Sequence, residues 1–321
     1  MSPLKKCLSV VLRIVFLFQV HTFTSNASII LLLGALRSIV LFIISIFGVR
    51  ILQSFVDTFP TTLYSAYKIA GISIDDFEKW VVCPKCNTLY KFEDCFIERD
   101  RIKLSKNCSA MLPFKKDQTC NTRLLNSKTT SIGNKVLYPR KEYCSRKISV
   151  TIEKFLERKG FEKLLLQKRN ISDSEDTFND IYDGKIWKTF KGKEGEYFFS
   201  DPRNLGLMMN IDWFQPFDNS EYSLGIIYMV ILNLPREERF KYDNLIVCGI
   251  IPGPKEPSLN VNTFLGPIVD DLHAGWNGVL LKDDSSFGKS LYKYALISLS
   301  SDIPATRKCC GFLGFAANLG T

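Results

Sequence analysis

Between residues 200 and 257 three apolar runs follow one another closely, and they limit the possible fold more than any other feature. They read SDPRNLGLMMNIDWFQPF, YSLGIIYMVILNLP and NLIVCGIIPGPKEP, and Asn, Asp, Pro and Gly separate them. Short apolar runs with this punctuation are expected as neighbouring strands of one buried sheet. The first run contains a carboxylate, Asp212, between Ile211 and Trp213. Burying a lone carboxylate is costly unless a cation or a set of hydrogen bonds receives it. Composition alone therefore reads Asp212 as a satisfied structural acid at a strand end.

A later apolar run, LYKYALISLS over residues 291–300, leads into Ser301-Asp302-Ile303-Pro304-Ala305. Asp302 thus falls where a strand meets a Pro-containing turn. Residues 261–276 read as a helix that carries Asp270, Asp271 and an exposed His273. The other histidine, His21, is far away in sequence, so no Ser–His or Cys–His relay is suggested. No glycine-rich nucleotide loop and no tandem repeat is visible.

Five of the ten cysteines lie between positions 83 and 120. Cys83-Pro-Lys-Cys86 is a knuckle whose two thiolates can face one metal ion. Cys108 and Cys120 are the natural second pair for a tetrahedral zinc site, with Cys95 as an alternative to Cys108. A disulfide set is the competing reading, and it would accompany a secretory leader. The residues around these cysteines are basic. From position 83 to 170 there are 21 Lys and Arg against 9 Asp and Glu, an excess of 12, where the whole chain has +9. Cations such as Lys85, Lys91, Arg99, Lys103 and Arg123 suit phosphate contact. The interleaved Tyr90, Phe92 and Phe114 suit the packing of a small core or stacking on exposed bases.

The first sixty residues are strongly apolar. SVVLRIVFLFQV contains Arg13, and residues 27–48 are 22 positions with one charge, Arg37. That length can cross a bilayer, although an Arg near the centre costs about 2.5–3.5 kcal/mol on insertion scales. We read this region as a buried helical hairpin, with a membrane anchor over residues 27–48 as the alternative. Residues 148–167 read as one amphipathic helix with Ile148, Ile152, Phe155, Leu156, Leu164 and Leu165 on its apolar face. An acidic linker, NISDSEDTFND, follows, and Asp183-Gly184 is expected as a turn before the first strand.

Several phrases occur together in this chain: NIDWFQPF, ILNLPREERF, IIPGPKEP and SDIPATRKCCGF. In these words and their order the chain resembles the transposase domain of CACTA-type (En/Spm) DNA transposons. The likeness is strongest over residues 180–320 and weaker back through VVCPKCNTLYKFEDC to FPTTLY. It implies an α/β fold: an incomplete ribonuclease-H-like domain with a mixed sheet and helices, preceded by a small zinc-ribbon-like module and an N-terminal helical segment. The implied division is 1–60 helical, 61–147 cysteine-rich, 148–179 helix and linker, and 180–321 partial transposase domain. The resemblance carries Asp212 and Asp302, 90 residues apart, onto the first two catalytic acids, which would hold Mg²⁺ for DNA cleavage and strand transfer. It also implies DNA as partner, self-association as a further possibility, and a nuclear location. The chain departs from the family after Asp302, where no Asp or Glu precedes Thr321, and Phe315 and Thr321 stand where a His and a Cys are expected. A truncated, catalytically inactive protein is the expectation. The acids Asp270, Asp271, Asp283 and Asp284 are poor substitutes, being placed on a helix or loop.

Overall fold

The computed structural model describes residues 3–22, 24–48, 53–72, 77–99, 102–112, 118–130, 133–167, 178–217, 221–257, 260–283 and 288–312. Two units separate, residues 1–76 and residues 77–321. The first contains α1 (Pro3–Thr22), α2 (Asn26–Phe47), α3 (Gln53–Thr58) and α4 (Leu63–Ala70). Leu8, Leu12, Val15 and Phe16 of α1 bury one face with Ile29 and Leu33 of α2, Phe59, Ala66 and Ala70. Arg13, which interrupts the apolar run, donates through Nε to the Ala70 carbonyl at the end of α4, at 2.7 Å. A cation there satisfies an acceptor that the helix itself leaves open.

The expected buried hairpin holds for α1 but not for α2. Only Ile29 and Leu33 of α2 are buried, while Leu31, Phe42 and Phe47 are 74%, 65% and 70% exposed. The physical reason is reach: α3 and α4 are 6 and 8 residues long, too short to cover a helix of 22. By length and composition α2 could cross a membrane, a test that core helices also pass.

In residues 77–321 the chain first lays down β1 (Glu78–Val82), β2 (Leu89–Tyr90), β3 (Phe96–Arg99) and β4 (Ile102–Ser105). Next come β5 (Leu125–Thr129), β6 (Lys135–Pro139) and β7 (Glu142–Ser145). Three helices follow, α5 (Ile148–Leu156), α6 (Phe161–Leu165) and α7 (Lys185–Thr189). The three punctuated runs are β8 (Asn204–Phe214), β9 (Leu224–Ile231) and β10 (Ile246–Ile251), with α8 (Arg236–Arg239) before the last. The chain then forms α9 (Val261–Asn277), β11 (Val279–Leu281), β12 (Ser290–Leu299) and α10 (Ile303–Cys309).

Eight of these strands make one mixed sheet in the order β11-β12-β8-β9-β10-β7-β1-β2. Among the described strands only β12 and β8 pair in parallel, because the crossover through α9 returns the chain in the same direction. Strand alternation decides what β8 buries. Leu205, Leu207, Met209 and Ile211 enter the main core, and Asp212 falls on the opposite phase and is exposed. The desolvation cost anticipated for Asp212 therefore does not arise.

The residues 148–167 form two helices, not one. Gly160 breaks the pattern at φ +83, a left-handed conformation that side chains rarely adopt, and α6 starts from it. Both helices still turn Ile148, Ile152, Phe155, Leu156, Phe161 and Leu165 into the core of the sheet. Asp271, from α9, is buried and accepts hydrogen bonds from the Ile148 and Ser149 N–H groups at 2.5 and 3.4 Å. It caps α5 from a distance of more than a hundred residues along the chain. Gly275 lets α9 press onto β12, since a Cβ there would meet the Tyr294 ring at 2.0 Å. After Asp183 the chain enters α7, not a strand, and the Asp183 carboxylate accepts from the Asn179 and Asp180 N–H groups. Most of the acidic linker lies outside the described residues.

Candidate functional site

The cysteine cluster is built by two turns. After β1 the chain makes the turn Cys83–Asn87, closed by the Asn87 N–H on the Cys83 carbonyl at 3.0 Å. The Cys83 N–H in turn donates to the Thr88 carbonyl at 3.0 Å. The second turn comes from an irregular hairpin. Its strands are pinned by bridges Asn107↔Arg123 and Met111↔Thr119 and by the Cys108 N–H on Thr122 O and the Cys120 N–H on Ala110 O, both 2.8 Å. Antiparallel pairing therefore brings together two cysteines that are 12 positions apart.

The four sulfurs of Cys83, Cys86, Cys108 and Cys120 all lie within 4.8 Å of one another, and all four residues are buried. Cys86 and Cys108 sulfurs are 3.4 Å apart and those of Cys83 and Cys120 are 3.6 Å apart. A zinc ion with four bonds of about 2.3 Å places its sulfurs about 3.8 Å apart. The donor set fits that ion, and all ten cysteines are free thiols, so the disulfide reading finds no support. Burial pushes the Cys83 and Cys108 thiols up. Burial also opposes ionisation of Cys120, yet hydrogen bonds from Thr122 and Cys83 bring it down to about 7. Tyr90 Oη lies 3.1 Å from the Cys108 sulfur and accepts from the Ser109 N–H at 3.2 Å. Nothing in the spacing of the sequence pointed to this outer contact, which fixes a ligand's orientation.

Cys95 stands apart from the four. Its thiol donates to the Lys91 carbonyl at 3.2 Å, and burial followed by the Asp94 charge holds it at about 11. The alternative with Cys95 in place of Cys108 is thus corrected: Cys95 closes a helical turn at residues 92–95, and its sulfur points to that turn's backbone.

The two aspartates lie at the ends of neighbouring parallel strands. Leu299 pairs with Met209, the Ser300 N–H donates to the Met209 carbonyl at 2.8 Å, and the Asn210 side chain donates to the Ser300 carbonyl. One step on, the Ile211 N–H donates to Ser301 Oγ at 2.8 Å. Asp212 follows within β8 and Asp302 follows Ser301 as the N-cap of α10, three residues past the end of β12, and both are exposed. Asp302 also supports the fold, since its carboxylate caps α10 by accepting from the Ala305 N–H at 2.7 Å. Nearby, Lys308 of α10 bonds Glu256 at 2.5 Å and sits 4.7 Å from the Trp213 ring centroid. Among the described residues no third carboxylate gathers with the pair into a metal-sized group. Asp271 is occupied with capping α5, while Asp284, Phe315 and Thr321 lie outside the described residues.

A further polar centre ties the segment before β8 to the loop after β9. Arg239, 4% exposed, forks onto both Asp180 oxygens at 2.6 and 2.8 Å and donates to Tyr182 Oη at 2.9 Å. Burial alone would raise the Asp180 carboxyl; the Arg239 hydrogen bonds outweigh it and hold the group below its usual range. The phrases DIYDG and LPREER thus meet in space as one structural clasp.

No curated protein matches this chain. Residues 176–318 match the family model described as "Transposase family tnp2", a stretch that starts before Asp180 and takes in β8, β9, β10, α9, β12 and α10. Over that stretch the chain carries a transposase-family domain.

Proposed function

We propose that the chain is a CACTA-type transposase-like protein that acts on DNA in the nucleus, with Asp212 and Asp302 as the acids of a metal-dependent strand-cleaving and strand-joining site. The observation that carries this reading is the register of β8 and β12, which brings the two aspartates to adjacent strand ends on a transposase-family domain. The order β10-β9-β8-β12, three antiparallel strands followed by a helix and a strand parallel to the first, supports a ribonuclease-H-like reading of that domain.

Exposed carboxylates at an open sheet end offer the hard oxygen donors that magnesium takes, with room for the waters it keeps. When bound there, the metal supplies an activated water or 3′-hydroxyl and a stabilised leaving oxygen. Asp212 is exposed and carries no capping role, so it would serve as the principal ligand; Asp302 offers the oxygen that the Ala305 N–H does not use. Ser301 and Asn210 hold the two strand ends in register. Lys308, paired with Glu256 close to Trp213, brings a positive charge toward a phosphate backbone. Among the described residues no third carboxylate gathers with the pair, and we infer that Asp212 and Asp302 do not by themselves complete a cleaving site. The cysteine cluster holds zinc as a structural ion and leaves no position for substrate, since four thiolates fill a tetrahedron.

Binding and chemistry are tested separately. Ferrous ion with ascorbate is expected to cut the backbone of the protein beside residues 212 and 302, excess Mg²⁺ to suppress the cuts, and Asp212→Ala to remove them. Cuts elsewhere, or cuts unchanged in Asp212→Ala, sink the metal assignment. Incubated with supercoiled DNA and Mg²⁺, residues 1–321 are expected to leave it intact. Nicking that vanishes in Asp212→Ala would uphold the site and overturn its incompleteness.

A further inference from the structure

The two short hairpins beside the cysteine cluster, β3–β4 and β5–β6, do not extend the large sheet. Between them lies a cleft of about 550 Å³ whose walls include Phe92, Phe96, Ile102, Lys103, Lys135 and Val136. Apolar side chains stand open in it: Phe92 is 37% exposed, Ile102 55% and Val136 41%. The Phe92 ring lies tilted against Phe96 with centroids 5.7 Å apart, and Lys103 Nζ is 4.7 Å from the Phe96 centroid. Each hairpin contributes a lysine, Lys103 from β4 and Lys135 from β6. Glu98 stands opposite Lys103 in the β3–β4 ladder.

This lining selects a ligand that carries negative charge and flat apolar faces together. Residues 83–147 hold 15 Lys and Arg against 6 Asp and Glu, so the surroundings attract a polyanion. A DNA duplex offers phosphates but keeps its bases paired and stacked inside. An acidic peptide can carry a ring here and there, but it does not repeat one anion with one flat face at every unit. An unpaired strand offers both, and aromatic side chains beside cations are how sequence-tolerant single-strand sites are built. The size also fits one or two nucleotides, within the roughly 300–1,000 Å³ of ligand clefts.

We propose that this cleft binds single-stranded DNA, an unstacked base lying against Phe92 and Phe96 and the flanking phosphates on Lys103 and Lys135. The proposal deepens the reading of the chain as a DNA-acting transposase-family protein and rests on it. It assigns the cysteine module a substrate contact that the strand-end aspartates do not make.

Fluorescence anisotropy of the full chain, loaded with zinc, tests this with a labelled oligothymidine, the same sequence as a duplex, and oligouridine. The single-stranded DNA is expected to bind at least tenfold tighter than the duplex and tighter than the RNA. Phe92→Ala is expected to weaken it about tenfold, within the range that loss of one stacking partner gives. Lys103→Gln and Lys135→Gln are each expected to flatten the salt dependence by about 0.7 in log–log slope, and Glu98→Gln to tighten binding. Zinc content, equal in every variant, marks the module as folded, and the two lysine variants decide the matter if Phe92→Ala loses zinc. Duplex binding that exceeds single-strand binding, with all variants unchanged, overturns the cleft while leaving the transposase reading in place. Preference for RNA overturns the choice of DNA. Binding to no nucleic acid overturns both the cleft and the DNA-acting reading.

Discussion

The four cysteines and the two aspartates differ in every respect that matters to a metal. The cysteine sulfurs are buried, gathered within 4.8 Å, and oriented by turns whose backbone bonds fix each residue. Asp212 and Asp302 are exposed, belong to neighbouring chain segments only through strand register, and one of them is partly used as a helix cap. A closed set of soft ligands serves folding, whereas an open pair of hard ligands can face a substrate. The cysteine cluster could surround an ion by itself, whereas at the proposed aspartate site solvent and substrate would have to complete the shell. Variants separate the two by the size of what they cost.

The largest effect is expected at the cysteines. Cys108→Ser removes a ligand from a site whose metal contributes about 10–16 kcal/mol to folding in comparable small modules. Metal analysis is expected to fall from one zinc per chain to none, and limited proteolysis to cut within residues 83–147. Cys95→Ser is the contrasting case. Its thiol reaches only the Lys91 carbonyl, so zinc content is expected to stay at one. Equal zinc loss in both variants would erase the distinction between the four and the fifth.

Next comes the clasp that joins the start of the transposase-family domain to its β9–β10 loop. Arg239→Met leaves the Asp180 carboxylate and the Tyr182 hydroxyl facing an apolar chain, and about 3 kcal/mol of stability is expected to go in chemical denaturation. The pH dependence carries a sign. Because the folded Asp180 carboxyl is held below its unfolded value, its contribution is present above about pH 4 and is lost as pH falls through the depressed value. The variant is expected to lose stability at neutral pH and to show a smaller further loss on acidification through that window. A full-sized acid transition in Arg239→Met would place the responsible carboxylate elsewhere.

Much of the domain was legible because its strands are apolar runs with clear stops. The strands β8, β9, β10 and β12 and the helix α9 follow directly from pattern and punctuation. The knuckle at Cys83 and Cys86 was legible for the same reason, a local spacing. What the sequence hid is non-local. The partnership of Cys108 with Cys120 depends on an irregular hairpin, and only its bridges make 12 positions short in space. The pairing of β7 with β10, which carries the large sheet into the cysteine segment, leaves no mark in the composition of either strand. Asp271 read only as one of two adjacent acids on a helix, yet it is buried because the free N–H groups of α5 meet it there. The exposed state of Asp212 could have been read from strand phase, since Ile211 must face inward if Leu207 and Met209 do.

The smallest effects on stability are expected at the two aspartates, and they are the most informative about the open site. Asp302→Ala removes the cap of α10 and is expected to cost about 1 kcal/mol, the usual loss for an N-cap. Asp212→Ala removes an exposed side chain at the strand end, and a change within about 0.5 kcal/mol is expected. Metal-directed cleavage of the protein backbone should respond in the opposite proportion, being abolished by Asp212→Ala and weakened by Asp302→Ala. Asp302→Asn sharpens the contrast, because the amide oxygen can still accept from the Ala305 N–H while the charge is gone. It is expected to restore the unfolding midpoint without restoring the iron-directed cuts. If Asp302→Asn restores both, the second aspartate is a helix cap and nothing more, and the open site rests on Asp212 alone.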